Sequence, residues 1–170
     1  MKSLSSIFSA EIPIALSGAE QSATEGANTA SLAIDGNIST SSQTNCLHDN
    51  TIWFKVNFTH IYCVKKVRLA QVAAEAARHL VWRMQDTNLT ILNSKTGVEG
   101  LCSTLKMTDN QLDYTATCAS VVCGDQLKLT VNHPDSYSYP GCIHVSELEV
   151  FAVTCADGTC DDGTCADGTC

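Results

Sequence analysis

Basic residues are scarce in this chain of 170 residues: ten Lys and Arg stand against eighteen Asp and Glu, a formal net charge of -8. A nucleic-acid surface needs cations clustered on one face to neutralise phosphates, and here the ten are spread along the sequence, which argues against such a partner. Long apolar runs are missing as well. No stretch approaches the run of about 18 apolar residues that a membrane-spanning helix needs, and the opening MKSLSSIFSA (1–10) lacks the apolar core of a secretory leader. Catalytic signatures are also wanting: there is no G-x-S-x-G turn, H-E-x-x-H helix, P-loop or dinucleotide-binding glycine pattern. His48, His60, His79, His133 and His144 are far apart, and His60 and His144 fall in strand-like runs where a structural role is the expectation. The chain does not read as an enzyme.

What is present in abundance is cysteine. Cys46, Cys63, Cys102, Cys118, Cys123 and Cys142 are scattered through the body without the short paired spacings of a zinc ribbon, a usage that favours disulfides and an extracellular setting. The length and the 44% hydrophobic content suit one domain with a core of its own plus appendages. Strand signals dominate that domain. Ile52, Phe54, Val56 and Phe58 alternate with Trp53, Lys55 and Asn57 so that one face is apolar, and Leu127, Leu129 and Val131 repeat the pattern. Residues 12–18, 64–70, 88–92 and 146–153 are further β-rich runs separated by turn-forming clusters such as Asp35-Gly36-Asn37 and Tyr139-Pro140-Gly141. Many short strands without a long helical pattern predict an antiparallel β-sandwich. The exception is QVAAEAARHLVWRMQD (71–86), rich in helix formers, which reads as a short helical or irregular insertion. After residue 154 the chain repeats DGTC every five residues. That tail (155–170) holds Asp157, Asp161, Asp162 and Asp167, half of the net negative charge, and has too little apolar surface to fold alone. A disordered end, a disulfide-linked end and a metal-binding tract are its three readings.

The span SLAIDGNISTSSQTNCLHDNTIWFKVNF (31–58) concentrates the remaining signals. Asp35 offers a carboxylate, and the oxygens of Asn37, Ser39 and Asn45 are hard donors of the kind Ca2+ prefers. The same residues equally suit a plain β-turn.

A wider pattern lies around them. The order ALSGAEQSAT, ASLAIDGN, TNCLH, IWFKVNF, VKKVRL and a closing SELEVF, over residues 11 to 153, resembles the F-type lectins, or fucolectins, within the discoidin or galactose-binding-like group of jelly-roll sandwiches. The resemblance implies an all-β, antiparallel jelly-roll domain over 11–154 and a calcium site built from the carboxylates of Asp35 and Glu147, the carbonyls of Leu32, Asn37 and Ser146, and oxygen from Asn45. It further implies disulfides Cys102–Cys118 and Cys46–Cys142, leaving Cys63–Cys123 as a bridge peculiar to this chain; the first closes a loop worth about 3 kcal/mol in a chain-entropy estimate. The sugar motif of the family is a His, an Arg-x-Asp and a second basic residue. His48 takes the first position and Arg83 the last, whereas the middle is replaced by QVAAEAAR with a few extra residues, from which Arg78 is a candidate stand-in. Trp82 beside Arg83 offers an apolar face for a sugar, while Trp53 reads as core.

Two functions are compatible with these signals. One is a non-catalytic, calcium-dependent lectin for cell-surface or microbial glycans, fucosylated ones among them, with clustering of copies as a route to avidity. The other is a structural or adhesive extracellular module that has lost sugar binding and assembles through its Cys-rich tail.

Overall fold

A computed structural model describes residues 11–46, 52–71, 82–107, 112–132 and 140–153. The N-terminal ten residues, the DGTC tail, His48 and Arg78 lie outside the described residues. Nine strands make up the described chain: β1 (Glu11–Pro13), β2 (Leu16–Gln21), β3 (Ser42–Gln43), β4 (Trp53–Ala70), β5 (Asn88–Asn93), β6 (Val98–Thr104), β7 (Asp113–Thr130), β8 (His144–Val145) and β9 (Glu147–Val153). Single 3-10 turns occur at Ala30–Ala33 and Trp82–Met84. The expected all-β antiparallel sandwich is therefore present. Of the segment expected to be helical or irregular, residues 72–81 are outside the described residues, and its remaining part contains the 3-10 turn at Trp82–Met84.

The architecture rests on two strands of 18 residues each, β4 and β7, which pair antiparallel from Trp53↔Thr130 at one end to Ala70↔Asp113 at the other. The runs at 52–58 and 64–70 are thus one strand, not two. Irregularities between Asn57 and Tyr62 and between Val64 and Lys66 let it bend, because an extra residue breaks the ladder and re-aims the chain. Before the bend β4 is flanked by β2 and β7, and β7 continues to β5 and β6; after it β4 lies between β7 and β9, with β1 on the edge. One continuous ribbon so feeds both layers.

The alternation of the sequence fills the space between them. Phe54, Val56 and Phe58 face inward with Leu89, Ile91, Leu127 and Leu129, and meet Val67, Leu69, Leu148, Val150 and Ala152 from the other layer, all buried. Trp53 departs from the expectation: it is half-buried, because it sits on the opposite face of β4 from Phe54 and Val56. Outward positions carry charge, as where Arg68 forks onto Asp113 at 3.0 and 2.6 Å and onto Glu149 at 2.7 Å.

Two disulfides brace this frame. Cys63 and Cys123 are directly opposed across β4 and β7 at the bend, and Cys102 of β6 is bonded to Cys118 of β7. Both bridges agree with the sequence reading. Next to the first, Gly124 lies against β5 so closely that a Cβ there would overlap the carbonyl of Leu92. Gly124→Ala is expected to destabilise the domain by about 1–3 kcal/mol through overpacking, read as a lower urea midpoint. Gly18→Ala, whose added carbon meets only Asn57 Nδ2 at 3.8 Å, should leave the midpoint near wild type.

Candidate functional site

Two short segments meet at one end of the sandwich. The first opens with the 3-10 turn Ala30–Ala33, anchored by the buried Ala30 and Ala33, and runs into Asp35-Gly36-Asn37. Gly36 has φ +76°, a left-handed conformation that glycine adopts without strain. Asp35 organises the turn: its Oδ1 accepts the Asn37 N–H at 2.8 Å and its Oδ2 the Thr40 hydroxyl at 2.7 Å. Asn37 Oδ1 accepts the Ser39 N–H at 3.1 Å. The first residue of β9 then ties the loop down, since Glu147 Oε2 accepts the Gly36 N–H at 3.0 Å across 111 residues of sequence. Burial pushes the Glu147 carboxyl up, the neighbouring charges of Asp35 and Glu149 add to this, and the N–H groups of Gly36 and Asn37 oppose it.

These contacts bear on whether an ion fits. Asp35 and Glu147 present two like charges to one turn, an arrangement that a cation would relieve, and each carboxylate oxygen keeps a lone pair beyond its hydrogen bond. Among the described residues no group of three or more His, Cys, Asp or Glu is placed to hold a metal, so an ion here would depend on carbonyl oxygens, as hard-cation sites commonly do. The donor set suits Ca2+ in kind. Asp35, Asn37 and Glu147 are brought together; Leu32 lies on the preceding 3-10 turn, and the buried Ser146, its N–H bonded to Ala70 O at 3.0 Å, adjoins Glu147. Asn45 lies on the second segment, directly before Cys46.

That second segment is the β3–β8 ribbon. Ser42 pairs with Val145 and Gln43 with His144, and Thr44 continues the ladder with its N–H on Ile143 O at 3.0 Å and its Oγ1 accepting the Ile143 N–H at 2.9 Å. Continued by two residues, this register sets Asn45 opposite Cys142 and Cys46 one step further on, so the two cysteines are diagonal neighbours. The two are free thiols in hydrogen-bond contact, Cys142 buried and Cys46 half-buried, so the expected Cys46–Cys142 disulfide is corrected to a neighbouring dithiol. The structure adds Arg83 from the 3-10 turn Trp82–Met84, whose guanidinium hydrogen-bonds both sulfurs. The hydrogen bond from Cys142 and the Arg83 charge pull the Cys46 thiol down, while the bond to Cys46 and burial push Cys142 up. Arg83 therefore stands beside Cys46, while His48, two residues further along the chain, lies outside the described residues.

Beneath them is a polar cluster that sequence reading missed. Gln71 Nε2 donates to His144 O at 2.5 Å, Gln71 Oε1 meets His144 Nδ1 at 2.7 Å, and the Met84 sulfur takes the His144 N–H at 3.5 Å, all buried. The only local signal is a histidine in an apolar strand. Burial lowers the His144 pKa to about 4, against 6.5 for the free side chain. The unfolded chain thus binds the extra proton first, so this contribution to stability is complete above pH 6.5 and is lost as pH falls toward 4, by up to about 3 kcal/mol. Glu147, shifted upward, acts in the opposite sense. Urea midpoints measured between pH 7 and pH 4.5 should fall for the wild type, and fall less for His144→Gln.

No protein-family model matches the sequence, and no curated protein does. Solved structures do share its shape. A family 32 carbohydrate-binding module from Clostridium perfringens NanJ, in complex with galactose, superposes with a TM-score of 0.66 at 23% identity, over 84% of this chain and 99% of that one. A fucolectin from striped bass (Morone saxatilis) serum gives 0.65 at 16% identity over 81% of this chain, which spans 45% of that protein. An F5/8 type C domain from Bacteroides fragilis gives 0.66 at 13% identity, over 85% and 98%. What this chain shares with all three is the fold: a discoidin-like, galactose-binding-domain-like β-sandwich.

Proposed function

We propose that the domain is a non-catalytic, extracellular glycan-binding module whose ligand sits at the loop end of the sandwich, with Arg83 and His48 as the hydrogen-bonding residues and Arg78 a further candidate from the insertion. The observation that carries this reading is the placement of Arg83. The 3-10 turn holds it against Cys46, on the same end of the fold as the Asp35–Glu147 tether. A guanidinium carries five N–H donors in a planar fork, the chemistry that pairs with hydroxyl and ring oxygens of a sugar. Solved neighbours of the same fold include the galactose complex and the fucolectin, which supports a sugar as the ligand class.

Calcium enters this reading as a brace. Asp35 and Glu147, with carbonyls of Leu32, Asn37 and Ser146 and oxygen from Asn45, would hold the ion, which would neutralise the paired carboxylates. The residues themselves keep the turn closed on β9 through the Gly36 N–H. Fucose or a related sugar is the preferred class, with clustered copies as the route to strong attachment.

Glycan-array screening of the whole chain tests the reading. Binding is expected, and Arg83→Ala or His48→Ala should weaken it by about 10-fold or more, the loss of charge-assisted hydrogen bonds. A silent array from folded protein refutes it and leaves the adhesive module. Calcium has its own readout: added CaCl2 should raise the melting temperature of the wild type by mass action and leave that of Glu147→Gln unchanged. No shift in the wild type removes the ion from the proposal.

A further inference from the structure

N-x-S/T tripeptides, the acceptor sequence for an N-linked oligosaccharide, occur at Asn37, Asn57 and Asn88. The fold gives them different surroundings. Asn57 is half-buried in β4, with Gly18 of β2 opposite it on one side and Gln126 of β7 on the other. Its Nδ2 is 3.8 Å from the Cβ that Gly18 lacks and donates to Glu20 Oε1 at 3.5 Å, while its Oδ1 is buried. Asn88 is half-buried in β5, opposite Thr104 of β6 and Thr130 of β7, and its Oδ1 accepts the Thr104 hydroxyl at 3.0 Å. A glycan is bulky and keeps to water; on either of these amides it would start half-buried, among the side chains of two flanking strands. Asn37 differs in each respect. Asn37, Ile38 and Ser39 are all exposed, Ile38 to 47%, in the turn that precedes β3. The backbone there is held firmly, with the Asn37 N–H on Asp35 Oδ1 at 2.8 Å and its carbonyl accepting the Thr40 N–H at 3.0 Å and the Thr40 hydroxyl at 2.8 Å. The Asn37 side chain is engaged through one atom, Oδ1, which accepts the Ser39 N–H at 3.1 Å. Among the described residues no hydrogen bond holds its Nδ2 or the Ser39 hydroxyl.

We propose that Asn37 is an N-glycosylation site and that Asn57 and Asn88, though they carry the same tripeptide, are not. The donor is a polyprenyl-diphosphate-linked oligosaccharide, handled by a transferase of the secretory compartment. The bond between the anomeric carbon and the diphosphate oxygen breaks, and Asn37 Nδ2 forms a bond to that carbon. The lipid diphosphate leaves with the electron pair of the broken bond, and the proton given up by Nδ2 passes to water. Nothing is oxidised or reduced. The modification takes no contact from the turn: Oδ1 keeps the Ser39 N–H, and the main-chain carbonyl of Asn37, the atom invoked for calcium, is not the atom modified. The route rests on the extracellular reading of the domain, because the transferase works in the secretory compartment; the choice of Asn37 over the other two does not.

The test expresses the whole chain in a eukaryotic host behind an added secretory leader. Secreted protein is treated with a peptide N-glycanase, which leaves an aspartate wherever a glycosylated asparagine stood, and the positions are mapped by peptide mass. Conversion is expected at Asn37 in most molecules and at Asn57 and Asn88 in few or none. Ser39→Ala keeps the backbone bond between Asn37 and Ser39 and removes only the hydroxyl that the transferase reads, so conversion at Asn37 should be lost; Ser39→Thr should restore it. Secreted, disulfide-bonded protein with a bare Asn37 overturns the proposal, as does a glycan confined to Asn57 or Asn88. Fractionation of the native source separates the two ways of failing. A cytosolic chain refutes the extracellular reading, and the glycan with it, whereas a secreted chain with a bare Asn37 refutes the site alone.

Discussion

The pairing of β4 with β7 is the constraint on which everything else in this domain hangs. A strand of 18 residues is far longer than the five or six usual in globular proteins. It can stay buried over that length only by bending from one layer into the other, and the irregularities at Asn57/Tyr62 and Val64/Lys66 provide the bend. The ladder resumes beyond each irregularity with inward and outward faces restored, so Val56 and Phe58 line the core before the bend and Val67 and Leu69 after it. Cys63–Cys123 fixes the register where a slip would do most harm, since a shift of one residue would turn every inward side chain out. Gly124, pressed against the Leu92 carbonyl, marks how tightly β5 closes over the same point.

With that frame set, the loop end is assembled from segments distant in sequence. Residues 142–147 act as a common rail: Cys142 meets Cys46, Ile143 bonds Thr44, His144 and Val145 pair with Gln43 and Ser42, and Glu147 receives the Gly36 N–H. The rail itself is fastened from below by Gln71 and Met84, which satisfy the buried backbone and imidazole of His144. Buried polar groups must be partnered, and this network does so without a charge. A single segment of six residues thereby positions both the acidic turn and the thiol–guanidinium cluster.

Legibility in the sequence tracks how strongly one face of a segment is buried. Residues 52–58 are plain, because four apolar side chains alternate with polar ones and all four are buried. β6 and the first half of β7 are faint: β6 has a single buried position, and in β7 the alternation of exposed Asp113, Thr115 and Thr117 with Tyr114, Ala116 and Cys118 is short, rests on small side chains and ends in three exposed residues, Ala119 to Val121. Their strand character comes from neighbours, not from composition. The bridges Cys63–Cys123 and Cys102–Cys118 are readable, one as a residual pair and one through a family pattern, whereas the contact of Arg83 with Cys46 is not. It depends on where a 3-10 turn places one side chain after an insertion, information that no local pattern holds.

The departure at Cys46 and Cys142 has a physical logic that ties the two halves of the loop end together. A guanidinium beside two sulfurs is held by hydrogen bonds whose strength depends on the state of the acceptor, strongest to a charged sulfur and weakest to a disulfide. The carboxylate pair Asp35 and Glu147 on the same rail is governed by the opposite need, a cation to relieve like charge. One end of the fold thus presents a fixed positive group already engaged by sulfur and a negative pair still wanting a counter-charge. The acidic turn thus keeps its like-charge pair against the backbone N–H of Gly36, while the arginine charge is spent beside the sulfurs.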